Sequence, residues 1–384
     1  MRIIDQRGAD ERHIAAGDFV PCAEAFIDRR NPNSEGKLNY SFIGPGVAQS
    51  DKQFVNLAEA HGFNVGGVSL PGGRINNLHL HFTAEVFIPV IGAWEFIWGN
   101  AGESSARVGK FDVFTIPTWI FRGFINRGRD EDFMFAVLGR DDSGGIVWNP
   151  KVLADAAQAG LRLTADNRVV DVRDGEPANG AAWMPPMPAA EMDNLPHFTP
   201  AEMEKFIVRW DALQWRDGLP GDGEIAAVIG HGMTAARHHF PPVAHPHGFS
   251  LEWLRLRPGA ASGAWQTERA QVAIVFDGAA DAVLNPPASQ VTVDLATRSI
   301  FSAPRGVMRA FHNRGDRDAV ILLINGGDAR LLPQWDEATL DAMRAAGQML
   351  DADARWSPAA VVNPSAAAAT DSDAANTANA STAA

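Results

Sequence analysis

The sequence repeats itself at a fixed offset, and this repeat constrains the fold more than any other feature. The motif Ile-Gly-Pro-Gly at residues 43–46 returns as Ile-Gly-His-Gly at 229–232, and His-Gly-Phe at 61–63 returns at 247–249, each 186 residues further on. A single one-residue insertion later, Pro117, Arg122 and Asn126 match Pro304, Arg309 and Asn313. A register kept over most of each unit indicates a duplicated domain.

Each repeat unit has the composition of a β domain. Short runs of branched and aromatic residues, separated by Gly, Pro and Asn, predict closely spaced strands of a sandwich or barrel. We therefore expect an all-β protein with a few peripheral helices. Its segments would be an N-terminal arm (1–40), a first barrel (41–160), a linker (161–225), a second barrel (226–350) and a disordered tail (357–384).

Within the linker, residues 199–202 read Thr-Pro-Ala-Glu. This is the pattern of a capping box with Pro at the first helical position. It predicts a helix that starts there and runs over about 199–215.

Charge and composition restrict the possible partners. The net charge of −13 argues against wide contact with nucleic acid or an anionic membrane, because both are recognised by Lys and Arg. Cys22 is the only cysteine, so no intramolecular disulfide can form, which fits a reducing compartment. The N-terminus lacks the apolar segment of a secretory signal, and no stretch is apolar enough to span a membrane. We expect a cytoplasmic protein with a small-molecule partner.

The segment richest in chemistry contains His79, His81 and Glu85. Side chains alternate along a strand, so these three positions share a face and can point into one barrel. Two imidazoles and one carboxylate suit a first-row divalent metal, and with open positions they are the pattern of non-haem Fe(II) oxygenases. The alternative is a set of histidines satisfied in the core or exposed, but burying this set without a partner would be costly. The pattern predicts a metal site.

This segment resembles the first cupin motif. Gly73, His79, His81, Glu85 and Gly92 match every fixed position and spacing of that motif. The resemblance implies a double-stranded β-helix barrel with a metal inside. Together with the duplication it implies a bicupin, two tandem cupin barrels, over most of residues 40–347.

The second cupin motif departs from the family pattern. Its usual His ligand is replaced by Arg122 and its Gly by Trp119. Arg stays protonated and cannot bind a metal. Arg309 holds the same place in the second barrel, which favours a structural role for Arg122 such as a buried ion pair. The catalytic alternative is that Arg122 binds a substrate carboxylate or a developing anion beside the metal.

The second barrel has lost the metal-binding residues. Trp265, Thr267 and Gln271 stand where the first barrel has His79, His81 and Glu85. We therefore expect one metal per chain. The histidines at 238, 239, 245 and 247 lie in a Pro-interrupted loop without a matching carboxylate, and are interpreted as a loop or interface feature.

Further candidates would complete the site of the first barrel. His61 is the candidate for a fourth ligand, although its match to His247 in the metal-free barrel favours a structural role. Asn77 has the parity of His79 and would face the cavity. Trp94 and Trp98 share one strand face with Phe96, and would line an aromatic substrate pocket or belong to the core.

These features favour a dioxygenase acting on a small organic acid, phenol or diketone. Fe(II) is the expected metal, and Mn, Ni or Zn are compatible with the ligand types. An active barrel followed by a degenerate one resembles the layout of gentisate-type ring-cleaving dioxygenases, an analogy at the level of fold. The alternatives are a non-redox isomerase, lyase or decarboxylase, and a non-catalytic binding protein. The cupin resemblance also implies a homo-oligomer.

Overall fold

Two β barrels of matching topology form the protein, as a computed structural model that describes residues 1–174, 180–216 and 219–363 shows. The arm contributes β1 (His13–Ile14). The first barrel contains β2 (Leu38–Ile43), β3 (Val55–Leu57), β4 (Phe63–Leu70), β5 (Ile75–His81), β6 (Glu85–Pro89), β7 (Trp94–Trp98), β8 (Ser104–Val108), β9 (Val113–Ile116), β10 (Arg122–Asn126), β11 (Asp132–Gly139) and β12 (Ile146–Trp148).

The linker and the second barrel supply the remaining strands. The linker contains β13 (Leu161–Leu163), β14 (Val169–Asp171) and β15 (Ile207–Val208). They are followed by β16 (Gly223–Ile229), β17 (Phe249–Leu256), β18 (Trp265–Gln266), β19 (Gln271–Asp277), β20 (Ala280–Leu284), β21 (Val291–Leu295), β22 (Ile300–Ala303), β23 (Arg309–His312), β24 (Ala319–Gly326), β25 (Gln334–Trp335), β26 (Gln348–Leu350) and β27 (Trp356–Pro358).

The helices are short and peripheral, as expected for an all-β protein. They are α1 (Gln6–Asp10), α2 (Pro150–Gln158), α3 (Ala189–Met192), α4 (Pro200–Met203), α5 (Glu337–Ala345) and α6 (Ala359–Val362). None of the helices in the described ranges is long and apolar enough to cross a membrane.

Each barrel consists of two facing sheets. In the first barrel the sheets have the orders β15-β9-β6-β11-β4-β2-β3 and β12-β5-β10-β7-β8. In the second barrel they have the orders β1-β22-β19-β24-β17-β16 and β21-β20-β23-β18-β25. The duplication inferred from the sequence is therefore present in the strand order.

The two barrels exchange short edge strands. Strand β1 precedes the first barrel in the chain but pairs with β22 of the second, with His13 opposite Phe301. Strand β15 precedes the second barrel but pairs with β9 of the first, with Ile207 opposite Phe114. Each exchanged strand covers a sheet edge that would otherwise expose unpaired backbone groups. The arm is thus structurally part of the second barrel, although it precedes the first.

A shared apolar core joins the larger sheets of the two barrels. Phe63 packs against its repeat equivalent Phe249, with ring centroids 6.1 Å apart, and Phe135 lies 5.4 Å from Phe276. These residues belong to one buried cluster that draws on both barrels. The outward faces of β4 and β17 therefore carry apolar residues, because these faces pack against each other between the barrels.

Paired histidines cross this interface in a symmetric way. His61 Nδ1 donates to the Glu59 carbonyl (2.6 Å), and its Nε2 accepts from Ser302 Oγ on β22 (2.7 Å). His247 Nδ1 donates to the His245 carbonyl (2.8 Å), and its Nε2 accepts from Thr115 Oγ1 on β9 (2.6 Å). Burial lowers the pKa of both rings, which favours the neutral form with Nε2 as the acceptor.

Two expectations about helices and termini need correction. The capping box of Thr199 and Glu202 is present and starts α4, but α4 is a single turn followed by a 3₁₀ turn (204–206) rather than a helix to 215. The chain must become extended at β15 to pair with β9, and this tertiary contact overrides local helix propensity. The tail expected to be disordered from 357 begins as β27 and α6, which pack on β26, and its part from 364 onward lies outside the described residues.

The interface histidines predict a loss of stability in acid. Burial lowers the pKa of His247 from 6.5 to about 4 in the folded protein. The unfolded chain takes up this proton first, so stability is complete above pH 6.5 and falls as the pH drops toward 4, by about 1.4 kcal/mol per pH unit. In His247→Gln, urea midpoints measured between these pH values should fall less steeply. The exposed His238→Gln serves as control, and equal slopes in wild type and His247→Gln would contradict this account.

Candidate metal centre

Strands β5 and β6 bring His79, His81 and Glu85 together inside the first barrel. One ligand atom from each lies within 4.8 Å of the others, and all three side chains are buried. Among the described residues, this is the one cluster of three or more His, Cys, Asp or Glu side chains whose ligand atoms lie close enough together to hold a metal ion. The expectation that these three positions share a face is met by the geometry.

Hydrogen bonds behind both imidazoles orient them as metal ligands. His79 Nδ1 lies 2.7 Å from the Asn77 carbonyl, and His81 Nδ1 lies 3.0 Å from the Gly145 carbonyl. A carbonyl oxygen only accepts, so each Nδ1 carries a hydrogen, and in the neutral form of each ring Nε2 has the lone pair that a metal would use. Burial lowers the pKa of His79 well below its usual value, and the nearby positive charge of Arg122 adds to this effect. Neutral imidazoles fixed through Nδ1 are what a divalent metal requires.

Glu85 is ionised and shared between two neighbours. Its Oε2 lies 2.8 Å from Arg122 Nη2 and 3.4 Å from His81 Nε2. Burial by itself would raise the pKa of Glu85, but His81 and Arg122 hold it well below its usual value. The donor set therefore fits a divalent cation in the type of its ligand atoms, and Arg122 already offsets the one formal negative charge.

Arg122 is fully buried but incompletely paired. Besides Glu85, its Nη1 reaches the Ile120 carbonyl at 3.4 Å, and its Nε has no partner. In the second barrel the equivalent Arg309 binds Gln271 Oε1 through Nε (2.9 Å), Val307 O through Nη1 (3.0 Å) and Thr267 Oγ1 through Nη2. The structural role expected for Arg122 is thus present as an ion pair, and its free Nε leaves a donor for a further partner.

A small cavity of about 60 Å³ adjoins the three ligands. Its wall on β4 includes Gly66, which contributes no side chain. The repeat equivalent of Gly66 is Glu252, a buried residue that accepts from the Met233 amide (3.0 Å) and from Asn325 (3.0 Å) inside the second barrel. The two barrels therefore differ in interior space as well as in ligands.

A β-bulge decides which asparagine faces this cavity. On β10, Arg122 and Phe124 are two residues apart, whereas their partners on β5, His79 and Asn76, are three apart. The extra residue on β5 breaks the two-residue alternation, as bulges near active sites do. Gly123 opposes the bulge, and a Cβ there would lie 2.5 Å from the Asn76 carbonyl. Asn76 thus lines the cavity, and the expectation for Asn77 was wrong.

Asn77 instead belongs to a buried polar network behind β5. Its Nδ2 donates to Ser34 Oγ (2.6 Å) and to Asp28 Oδ2 (3.1 Å). The other oxygen of Asp28 accepts from Lys37 Nζ at 2.5 Å. Residues 28–37 of the arm therefore support the strand that carries His79 and His81.

The other predicted pocket residues lie elsewhere. Trp94 and Trp98 are buried in the core of the first barrel, where their indole nitrogens donate to Ile91 and Phe198 carbonyls, and they do not line the cavity. His61 is not a fourth ligand, because both of its ring nitrogens are used at the interface between the barrels. The aromatic residues that do line the cavity are Phe26, Tyr40, Phe87, Phe124 and Trp148.

Comparisons with known proteins give the fold but no close relative. No protein-family model matches the sequence, and a search of curated proteins returns no match. Among solved structures, oxalate decarboxylase from Bacillus subtilis at pH 4.6 superposes with a TM-score of 0.52 at 13% identity, covering 87% of this chain and 79% of that one. The formate complex of oxalate decarboxylase from Lactobacillus farciminis gives 0.53 at 14% identity, covering 87% and 92%. Similarity at this level shows fold alone, and the chain has the bicupin fold.

Proposed function

We propose that the first barrel is a metal-dependent enzyme site for a small organic acid and that its chemistry is non-redox, such as decarboxylation. His79, His81 and Glu85 would hold the metal. The observation that carries the proposal is that these three residues line a small buried cavity and that Glu85 is paired with a buried guanidinium, Arg122, whose Nε is unpartnered.

The charges of the site favour an acidic substrate. Metal binding requires both imidazoles to be neutral, and Arg122 offsets Glu85, so in that state the protein side chains sum to about zero. A bound divalent cation would then leave a positive site within a largely apolar barrel, where charges are weakly screened. A carboxylate would compensate this charge, so metal and acid should each favour the binding of the other.

The size of the cavity limits the substrate to a few heavy atoms. A single water needs about 10–15 Å³ by the same measure, and the cavity offers about 60 Å³. Small carboxylic acids fit such a volume better than the phenolic or diketone substrates that the sequence also suggested. The two structures with similar folds described above are oxalate decarboxylases, one of them in complex with formate, which agrees with this substrate class.

The protein side chains would orient the acid. A bound metal would supply Lewis-acid polarisation of a carboxylate oxygen. Arg122 would donate a charge-assisted hydrogen bond from Nε to the substrate, and Asn76 would donate from Nδ2 on the same wall as His79. The apolar side chains of Phe87, Phe124 and Leu138 would limit the access of water. Fe(II) stays the predicted metal, with Mn, Ni and Zn as the alternatives.

Replacing Arg122 by His separates the metal and substrate roles. Arg122→His removes a positive charge and adds an imidazole where the cupin pattern has a ligand, so the affinity for Mn²⁺ or Zn²⁺ should rise at least about tenfold. The affinity of the metal-loaded protein for oxalate should fall roughly tenfold. Calorimetric titration measures both, with the exposed Arg127→His as control. An unchanged oxalate affinity would show that Arg122 does not bind the acid.

The reaction type is tested by the oxygen balance of turnover. Protein reconstituted separately with Fe, Mn, Ni and Zn is incubated with oxalate, malonate and other short acids, while acid, CO₂ and O₂ are followed together. We expect acid consumption with no net consumption of O₂. Turnover that consumes one O₂ per acid would contradict the proposal and restore the dioxygenase prediction. Binding of acid with no turnover for any metal would favour the non-catalytic alternative.

A further inference from the structure

Lys37 is a buried cation beside the cavity. Its ion pair is with Asp28 and not with the carboxylate of the proposed metal site, Glu85. Its side chain is 4% exposed, and its Nζ donates to Asp28 Oδ1 (2.5 Å) and Asn76 Oδ1 (2.7 Å). The ammonium also lies 5.0 Å from the ring centroid of Phe26 and 5.7 Å from that of Trp148, two residues that line the cavity.

The counter-ion of Lys37 is itself fixed in place. Asp28 is fully buried, and its second oxygen accepts from Ser34 Oγ (3.1 Å) and Asn77 Nδ2 (3.1 Å). A buried ion pair contributes little net stability, because desolvation offsets the attraction. The pair nevertheless holds the ammonium in one position relative to β5.

The position of Lys37 determines the orientation of the Asn76 amide. An ammonium group can only donate, so the atom of Asn76 that faces it is the oxygen, and Nδ2 points the other way. Nδ2 lies 3.5 Å from His79 Nδ1, but that nitrogen gives its hydrogen to the Asn77 carbonyl. Nδ2 therefore has no strong acceptor among the described residues, and Asn76 lines the cavity.

We propose that Lys37 is a positioning residue that fixes Asn76 with its Nδ2 toward the cavity, so that Asn76 donates to a carboxylate oxygen of the substrate. This inference rests on the proposed function of the same site. It assigns residues of the N-terminal arm to substrate recognition, acting through a side chain on β5. A purely structural role for Lys37 would lower stability without a specific effect on acid binding.

A double-mutant cycle between Lys37 and Asn76 tests this inference. The probe is oxalate, titrated by calorimetry into the Mn²⁺-loaded full chain of wild type, Lys37→Met, Asn76→Ala and Lys37→Met/Asn76→Ala. Each single change should weaken oxalate binding by roughly tenfold, the loss of one hydrogen bond to a charged group. The double variant should be no weaker than Asn76→Ala, because the two residues act on the same contact.

Matched variants separate positioning from folding. Asp28→Asn/Lys37→Met removes the ion pair as a unit and replaces Lys37→Met if the unpaired Asp28 carboxylate prevents folding. Titration of the metal-free proteins with Mn²⁺ alone should give affinities within about twofold of wild type, since Lys37 is not a ligand. Lys52→Met, at an exposed ion pair with Glu24, is the control and should bind oxalate like wild type.

The failures of the two proposals are distinguishable. If the Mn²⁺-loaded wild type binds no oxalate or formate, the proposed function falls and this inference falls with it. If wild type binds but Asn76→Ala or the Lys37 variants bind equally well, the function stands and the role of Lys37 is overturned. Fully additive effects of the Lys37 and Asn76 changes would also overturn it.

Discussion

The buried ion pair of Arg122 and Glu85 is the interaction on which the site depends. A guanidinium at this position is common to both barrels, which suggests that it is an inherited part of the barrel interior. In the second barrel two neutral side chains and one backbone carbonyl accept from its three nitrogens. In the first barrel the same group faces a carboxylate and keeps a free Nε, so the Glu85 charge is offset before any metal binds. A bound divalent cation would therefore leave a net positive charge in the site, which an anionic substrate would compensate.

The two barrels differ in how their interiors are filled: the first contains a cavity where the second contains a buried side chain. Gly66 leaves room beside the ligands of the first barrel, whereas Glu252 and its hydrogen-bond partners occupy the second. Burial raises the pKa of Glu252 to about 7, as expected for a carboxyl group in a closed interior. The second barrel instead contributes to the interface. It shares an aromatic core with the first barrel, its His247 bonds to the first barrel as His61 bonds to the second, and its larger sheet pairs with the arm strand β1. Each barrel is completed by an edge strand from outside its own part of the sequence, β15 in the first barrel and β1 in the second.

The sequence predicted what depends on local pattern and missed what depends on tertiary context. The repeat predicted the two barrels, and the spacing of His79, His81 and Glu85 predicted that these side chains lie together. Asn77 was chosen by strict alternation, and the bulge on β5 reversed that choice. The roles of Lys37 and Asp28 have no motif, because they arise where the arm folds back on β5. The sequence does contain a signal for the cavity, because the repeat pairs Gly66 with Glu252. A glycine within a strand indicates free space or the close approach of another group.

The central claim is that this chain binds one catalytic metal in its first barrel despite Arg122. Anomalous diffraction from crystals grown with Mn²⁺ tests it most directly, using wild type and His79→Ala/His81→Ala. The account predicts one strong peak per chain between His79, His81 and Glu85, absent from the double variant, and none inside the second barrel. A wild-type map without a peak at these three residues, or with its strongest peak elsewhere, would contradict it.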